Sequence, residues 1–92
     1  MTDNELLVLV KANLAIARST WDDYLTNLIN VSKQSIAREG ITLEDTFEDN
    51  HLIVMYTSYL YRKRADDIPA MPRMLRYALN NRLFAEKMRD ES

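Results

Sequence analysis

The 92-residue chain carries a net charge of −2, is 47% hydrophobic and 28% charged, and contains one glycine, two prolines and no cysteine. That length leaves room for one domain, the apolar fraction excludes a disordered chain, and the missing cysteines exclude disulfides, thiolate metal sites and cysteine nucleophiles. The slight acidic excess stands against a dedicated nucleic-acid binder, which carries a basic surplus.

Asp3 is the expected N-cap of a first helix over residues 6–14, whose Leu6, Leu7, Val10 and Leu14 recur at helical spacing. The helix is expected to stop within residues 15–18. Thr20-Trp21-Asp22-Asp23 reads as a capping signature, a hydroxyl followed three residues later by an acid. From there Trp21, Tyr24, Leu25, Leu28, Ile29, Ser32 and Ile36 form one stripe, and Gly40 falls where a left-handed residue would close the helix. An acidic loop over residues 41–50 carries Glu44, Asp45, Glu48 and Asp49, with Phe47 expected to pin it to the core. Asp49 or Asn50 then caps a third helix from His51 to about residue 65. Leu52, Tyr56, Tyr59 and Leu60 share one face of it, while Val54 and Tyr61 make a narrower second stripe, so this helix needs apolar neighbours on two sides.

The third helix ends in Arg62-Lys63-Arg64, where cations suit the negative end of the helix dipole. Asp66-Asp67-Ile68-Pro69-Ala70 reads as a turn and Pro72 as the first residue of a fourth helix. Met71, Met74, Leu75, Ala78, Leu79 and Leu83 are assigned to its buried side, and Arg73, Arg76, Asn80 and Arg82 to its outside. Beyond Phe84 the composition turns polar, so residues 84–92 are expected to fray or to order on a partner. The sum is an all-α single domain over residues 1–92, four helices with the apolar third one central.

No assembled site for chemistry stands out, and the chain reads as a non-enzyme without cofactor or metal. His51, the one histidine, sits at a helix start with no nucleophile or second base to serve it. The acidic loop lacks the alternating ligands and the glycine turn of a calcium loop. Gly-rich phosphate loops and the nucleophile elbow are absent. The longest apolar runs, residues 6–10 and 52–56, are far below the ~20 residues of a membrane span. With Asp3 and Glu5 where a signal peptide would be basic, the expected compartment is the cytoplasm in which the chain is made.

Charge is distributed unevenly. Residues 1–50 hold nine acids against four bases, a net of −5, and residues 51–92 hold eight bases against five acids, a net of +3. Two stripes on the third helix, a basic cluster at its end, and a Pro-initiated fourth helix bearing Arg73 and Arg76 follow a short first helix and a long second one. That pattern, over residues 5 to about 84, resembles the small head-tail connector proteins of tailed bacteriophages, the adaptors that sit beneath the portal. The loop after the second helix is shorter here than in larger relatives. The resemblance implies a structural protein of the virion, at the head-tail interface. Its subunits would join head to tail into a homo-oligomeric ring, dock on the portal protein, extend the channel through which DNA passes without sequence-specific contact, and receive the next connector or tail protein.

Within that scheme, subunit contacts are expected at Glu44, Asp45, Glu48 and Asp49 against Arg73 and Arg76 of the next copy, with Val54 and Tyr61 as an apolar contact. Phe84, Lys87, Met88 and Arg89 are the expected portal-docking residues. The alternative is a small helical DNA-binding or regulatory protein, with Arg62, Arg64, Arg73 and Arg76 on phosphates and Arg62, Lys63 and Arg64 facing DNA.

Overall fold

The computed structural model describes residues 1–66 and 70–90. They form four helices, α1 (Asp3–Leu14), α2 (Asp22–Arg38), α3 (Phe47–Asp66) and α4 (Arg73–Asp90), with no strand among the described residues. The expected turn at residues 66–70 lies largely outside the described residues, as do the last two residues of the expected tail.

No helix starts at its expected place, and for α1 and α3 capping is the reason. Thr2 rather than Asp3 caps α1: its hydroxyl accepts from the Glu5 amide at 3.2 Å, and Glu5 accepts in return from the Thr2 amide at 3.0 Å. This reciprocal box satisfies two of the helix's orphan donors. At the other end Ala15 takes a left-handed φ of 59°, and the amides of Ala15 and Ile16 reach back to the carbonyls of Ala12 and Lys11. Those two bonds satisfy terminal carbonyls, which offsets the cost of a non-glycine residue at positive φ. Trp21, not Thr20, precedes α2, with no side-chain cap.

Gly40, at φ 102°, follows the end of α2 as expected. A methyl group there would lie 3.4 Å from Leu83 on α4, so the position combines a left-handed turn with close approach of another helix. α3 begins four residues earlier than expected because Thr46 caps it, its hydroxyl accepting from the Asp49 amide at 3.1 Å. Asp49 is thereby a residue of the first turn rather than a cap. Pro72 stands just before α4, its carbonyl accepting from the Arg76 amide. The helix continues to Asp90, which corrects the expectation that residues beyond 84 fray.

α3 is central: it packs against α1, α2 and α4, and α1 also packs against α2. Leu6 and Val10 of α1, Leu25, Ile29 and Ile36 of α2, Leu52 and Ile53 of α3, and Leu75 and Leu79 of α4 form the buried core. Each such side chain, fully buried, contributes roughly 1.5–3 kcal/mol. A buried hydroxyl pair, Thr57 donating to Ser32 at 2.9 Å, keeps α2 and α3 close without an unmatched polar atom. Ion pairs Lys11–Asp22 and Lys33–Asp3, at 2.8 and 2.7 Å, brace α1 on α2.

α4 is the outlier, resting on α3 as its one substantial helix neighbour. The molecule is accordingly a slab, 46 × 29 × 18 Å, with a radius of gyration of 13.4 Å; a compact chain of this length has about 12 Å. No helix among the described residues is long and apolar enough to cross a membrane.

Candidate interaction surfaces and the arginine clamp

Arg82, assigned by pattern to the outside of α4, is buried at 6% exposure. It continues the inward stripe Leu75, Leu79, Arg82, Glu86, which recurs at helical spacing. Its Nε donates to Asp49 Oδ1 at 2.7 Å, one Nη2 proton reaches Asp49 Oδ2 at 3.3 Å, Nη1 donates to Glu86 at 2.9 Å, and Nη2 donates to the Thr42 carbonyl at 2.7 Å. The bidentate fork fits the carboxylate plane, and the remaining donors are engaged rather than stranded. Asp49 also accepts from the Glu44 amide at 2.8 Å, and Glu86 from the Thr42 amide at 3.3 Å. One guanidinium thus ties α4 to the first turn of α3 and to the loop between α2 and α3. Its pKa is raised, first by the hydrogen bond to Asp49 and further by Glu86, against the opposing effect of burial.

This clamp, with its neighbours, absorbs most of the charge asymmetry inside one molecule. Asp49 pairs with Arg82, Glu44 with Arg89 at 2.6 Å, Arg76 with Glu39 at 3.0 Å, and Asp45 with the N-terminal ammonium and the Asn50 amide. Asp49, at 1% exposure, cannot be the surface contact the sequence suggested. Of the expected acidic loop and arginine pairing, Glu48 and Arg73 alone make no ion pair among the described residues.

Three carboxylates are held below the usual carboxylate range. Hydrogen bonding to Thr42 and then Arg82 lowers Glu86, the Thr2 amide lowers Glu5, and Asn50 followed by the N-terminal ammonium lowers Asp45. Near pH 4 the folded chain therefore binds fewer protons than the unfolded one. The stabilisation is fully present above the ordinary carboxylate values of about 4–4.5 and is lost as pH falls through the lower folded values. Thermal midpoints should hold steady down to about pH 5 and decline below about pH 4. Glu86→Gln should flatten that decline, and an unchanged slope would show that Glu86 is not among its sources.

The other sequence-singled residues disperse. Arg62 donates to the Asn13 carbonyl at 3.5 Å, the Lys63 ammonium lies 5.8 Å from the Tyr59 ring centre, and the Arg64 guanidinium lies 4.8 Å from that of Tyr24. The basic cluster is thus three cations on three separate partners. Val54 is buried and Tyr61 half-buried, so the second stripe of α3 is largely covered by the chain's own helices. His51 is exposed and stacks on Phe47, ring centres 6.1 Å apart at 3°.

Several apolar side chains stand where pattern did not place them. Phe47 is 88% exposed, not pinned to the core, Trp21 is half out of its expected stripe at 48%, and Met74 is 76% exposed rather than buried. With Tyr77, Phe84 and Met88, Met74 forms the outermost face of α4, opposite the Leu75–Leu79–Arg82–Glu86 stripe. Phe84 and Met88, the expected docking residues, belong to this ordered face, while Lys87 is exposed beside it. On the other side of the Phe47–His51 stack, a groove of about 460 Å³ between α1 and α3 is lined by Leu9, Ala12 and Val54. A sequence signal for the exposed face did exist, in the 3-4-3-4 spacing of Met74, Tyr77, Asn81, Phe84 and Met88.

No family model, curated protein or solved structure matches this chain.

Proposed function

We propose that the chain is a structural head-tail connector of a tailed bacteriophage, a subunit of a homo-oligomeric ring beneath the portal that extends the DNA channel and receives the next connector or tail protein. The observation that carries the reading is the surface of α4. A 92-residue domain that has buried Arg82 and paired Glu39, Glu44 and Asp49 with α4 still presents Met74, Tyr77, Phe84 and Met88 to solvent. A contiguous exposed apolar face of this kind is often the contact surface for another molecule. The resemblance of the helix order and of the basic, Pro-initiated last helix to phage connectors supplies the identity of the assembly.

Because the acidic loop and the α4 arginines largely pair within one molecule, apolar burial holds the ring and surface ion pairs, each contributing about 0.2–1 kcal/mol, adjust it. Native mass spectrometry should show a closed oligomer at integral multiples of the 10.8 kDa chain, and raising salt from 0.1 to 0.5 M should leave most of it intact. Adding the protein to DNA-filled, portal-bearing heads should stop DNA loss. A monomer at all concentrations, binding DNA with a steep salt dependence, would replace this reading with that of a small DNA-binding protein.

A further inference from the structure

The geometry points to two different faces of one subunit as the two halves of the ring contact: we infer that the outer face of α4 in one copy seats in the groove between α1 and α3 of the next. The inference rests on the ring reading and names the surfaces that close it.

The donor face is built like a coiled-coil seam. Met74, Tyr77, Asn81, Phe84 and Met88 follow the alternating three- and four-residue spacing of apolar seam positions, with Asn81 at the centre as the single polar member. Its four apolar members are 76%, 58%, 66% and 55% exposed. At roughly 200 Å² for a side chain of this size, they offer about 500 Å² in one strip. A standard interface takes about 800 Å² from each partner, so the strip is a large part of one half.

The occupant follows from the charges and from what would remain uncovered. Arg73 and Lys87 lie along one flank of the seam, fourteen residues apart. Antiparallel pairing of two α4 seams about Asn81 would bring Arg73 of one copy against Lys87 of the other, a like-charge contact. It would also leave Phe47 and Leu9, 88% and 41% exposed, in water. The α1–α3 groove has the opposite character. It is apolar at Leu9, Ala12 and Val54, walled by the Phe47–His51 stack, with Glu5 one turn before Leu9 on α1. Seating the seam there covers both apolar faces of every subunit and sets a cation of its flank beside Glu5. A contact between two different faces is heterologous, and it closes into a ring when the rotation permits.

Complementation tests this. Phe84→Glu disables the donor face and Ala12→Arg the groove; both positions are solvent-facing on helices, and circular dichroism should show unchanged helicity. Each variant alone should need a concentration roughly 30-fold or more higher for half-assembly. Mixed at equal amounts, they retain one intact contact and should give a 1:1 heterodimer that grows no further. Tyr77→Glu provides a second donor variant with the same expectation. If Ala12→Arg assembles normally while Phe84→Glu does not, the seam pairs with itself and the inference is overturned. If wild type forms a ring and both variants do too, the surfaces are wrong and the ring reading stands. Wild type that stays monomeric at every concentration overturns both.

Discussion

Replacing Arg82 by alanine should lower the unfolding free energy by about 3–5 kcal/mol, because it leaves the Asp49 carboxylate buried without its cation and Glu86 with Arg89 alone, at 3.8 Å. A domain of 60–100 residues loses about 4–8 °C of thermal midpoint per kcal/mol, so the midpoint should fall by roughly 12 °C or more. Asp49→Ala should approach the same loss from the other side. The double variant should cost much less than the two singles together, since both remove the same contact. Arg89→Ala removes the pair with Glu44 and the longer one with Glu86 at 3.8 Å, but there the arginine side chain is 59% exposed, and the expected cost is within about 1 kcal/mol. Urea denaturation of the four variants beside wild type decides the matter. Equal, small losses for Arg82→Ala and Arg89→Ala would show that the clamp is no more than another surface pair. Replacing Arg82, Asp49 and Glu86 together by well-packed apolar residues is a different experiment, and it can leave stability unchanged.

The clamp also shows which parts of this fold were legible in the sequence. The α2 stripe of Leu25, Ile29, Ser32 and Ile36 is buried as its spacing requires, and Gly40 terminates the helix at a positive φ. α3 is central, as a helix apolar on two sides must be. Those features are local, set by a period or by one residue's conformational freedom. Arg82 and Glu86 lie on the same period as Leu75 and Leu79, yet charge argued Arg82 outward and put Glu86 in a polar tail. What reverses the argument is Asp49, thirty-three residues away, and no local pattern announces that pairing. The same holds for the charge split, which reads as a dipole along the chain and is in fact largely closed by contacts between α4 and the segment from Glu39 to Asp49. Met74 and Phe47 were misplaced for the converse reason. An apolar residue is assigned inward by default, and a face meant for another molecule obeys the same spacing as one meant for the core.

Ile29→Ala and Phe47→Ala separate those two kinds of apolar residue. Ile29 is fully buried in α2, within the core that α1, α2 and α3 share. Truncating it removes three carbons from a packed site and leaves a cavity, at a cost of about 2–5 kcal/mol. Phe47 is 88% exposed, its ring stacked on His51. Its truncation should change monomer stability by no more than about 0.5 kcal/mol, as for other surface positions. Phe47 follows the Thr46 cap at the first position of α3, where the fold asks nothing of its side chain, and a charged residue would suit the helix dipole better. Denaturation monitored at a concentration where the chain is monomeric isolates the fold from its assembly. There Phe47→Ala should match wild type, while in self-association it should fall short, since the ring walls the groove between α1 and α3. A stability loss above about 1 kcal/mol for Phe47→Ala would mean that the ring belongs to the fold after all, and the apolar surface beside it would lose its strongest claim to a partner.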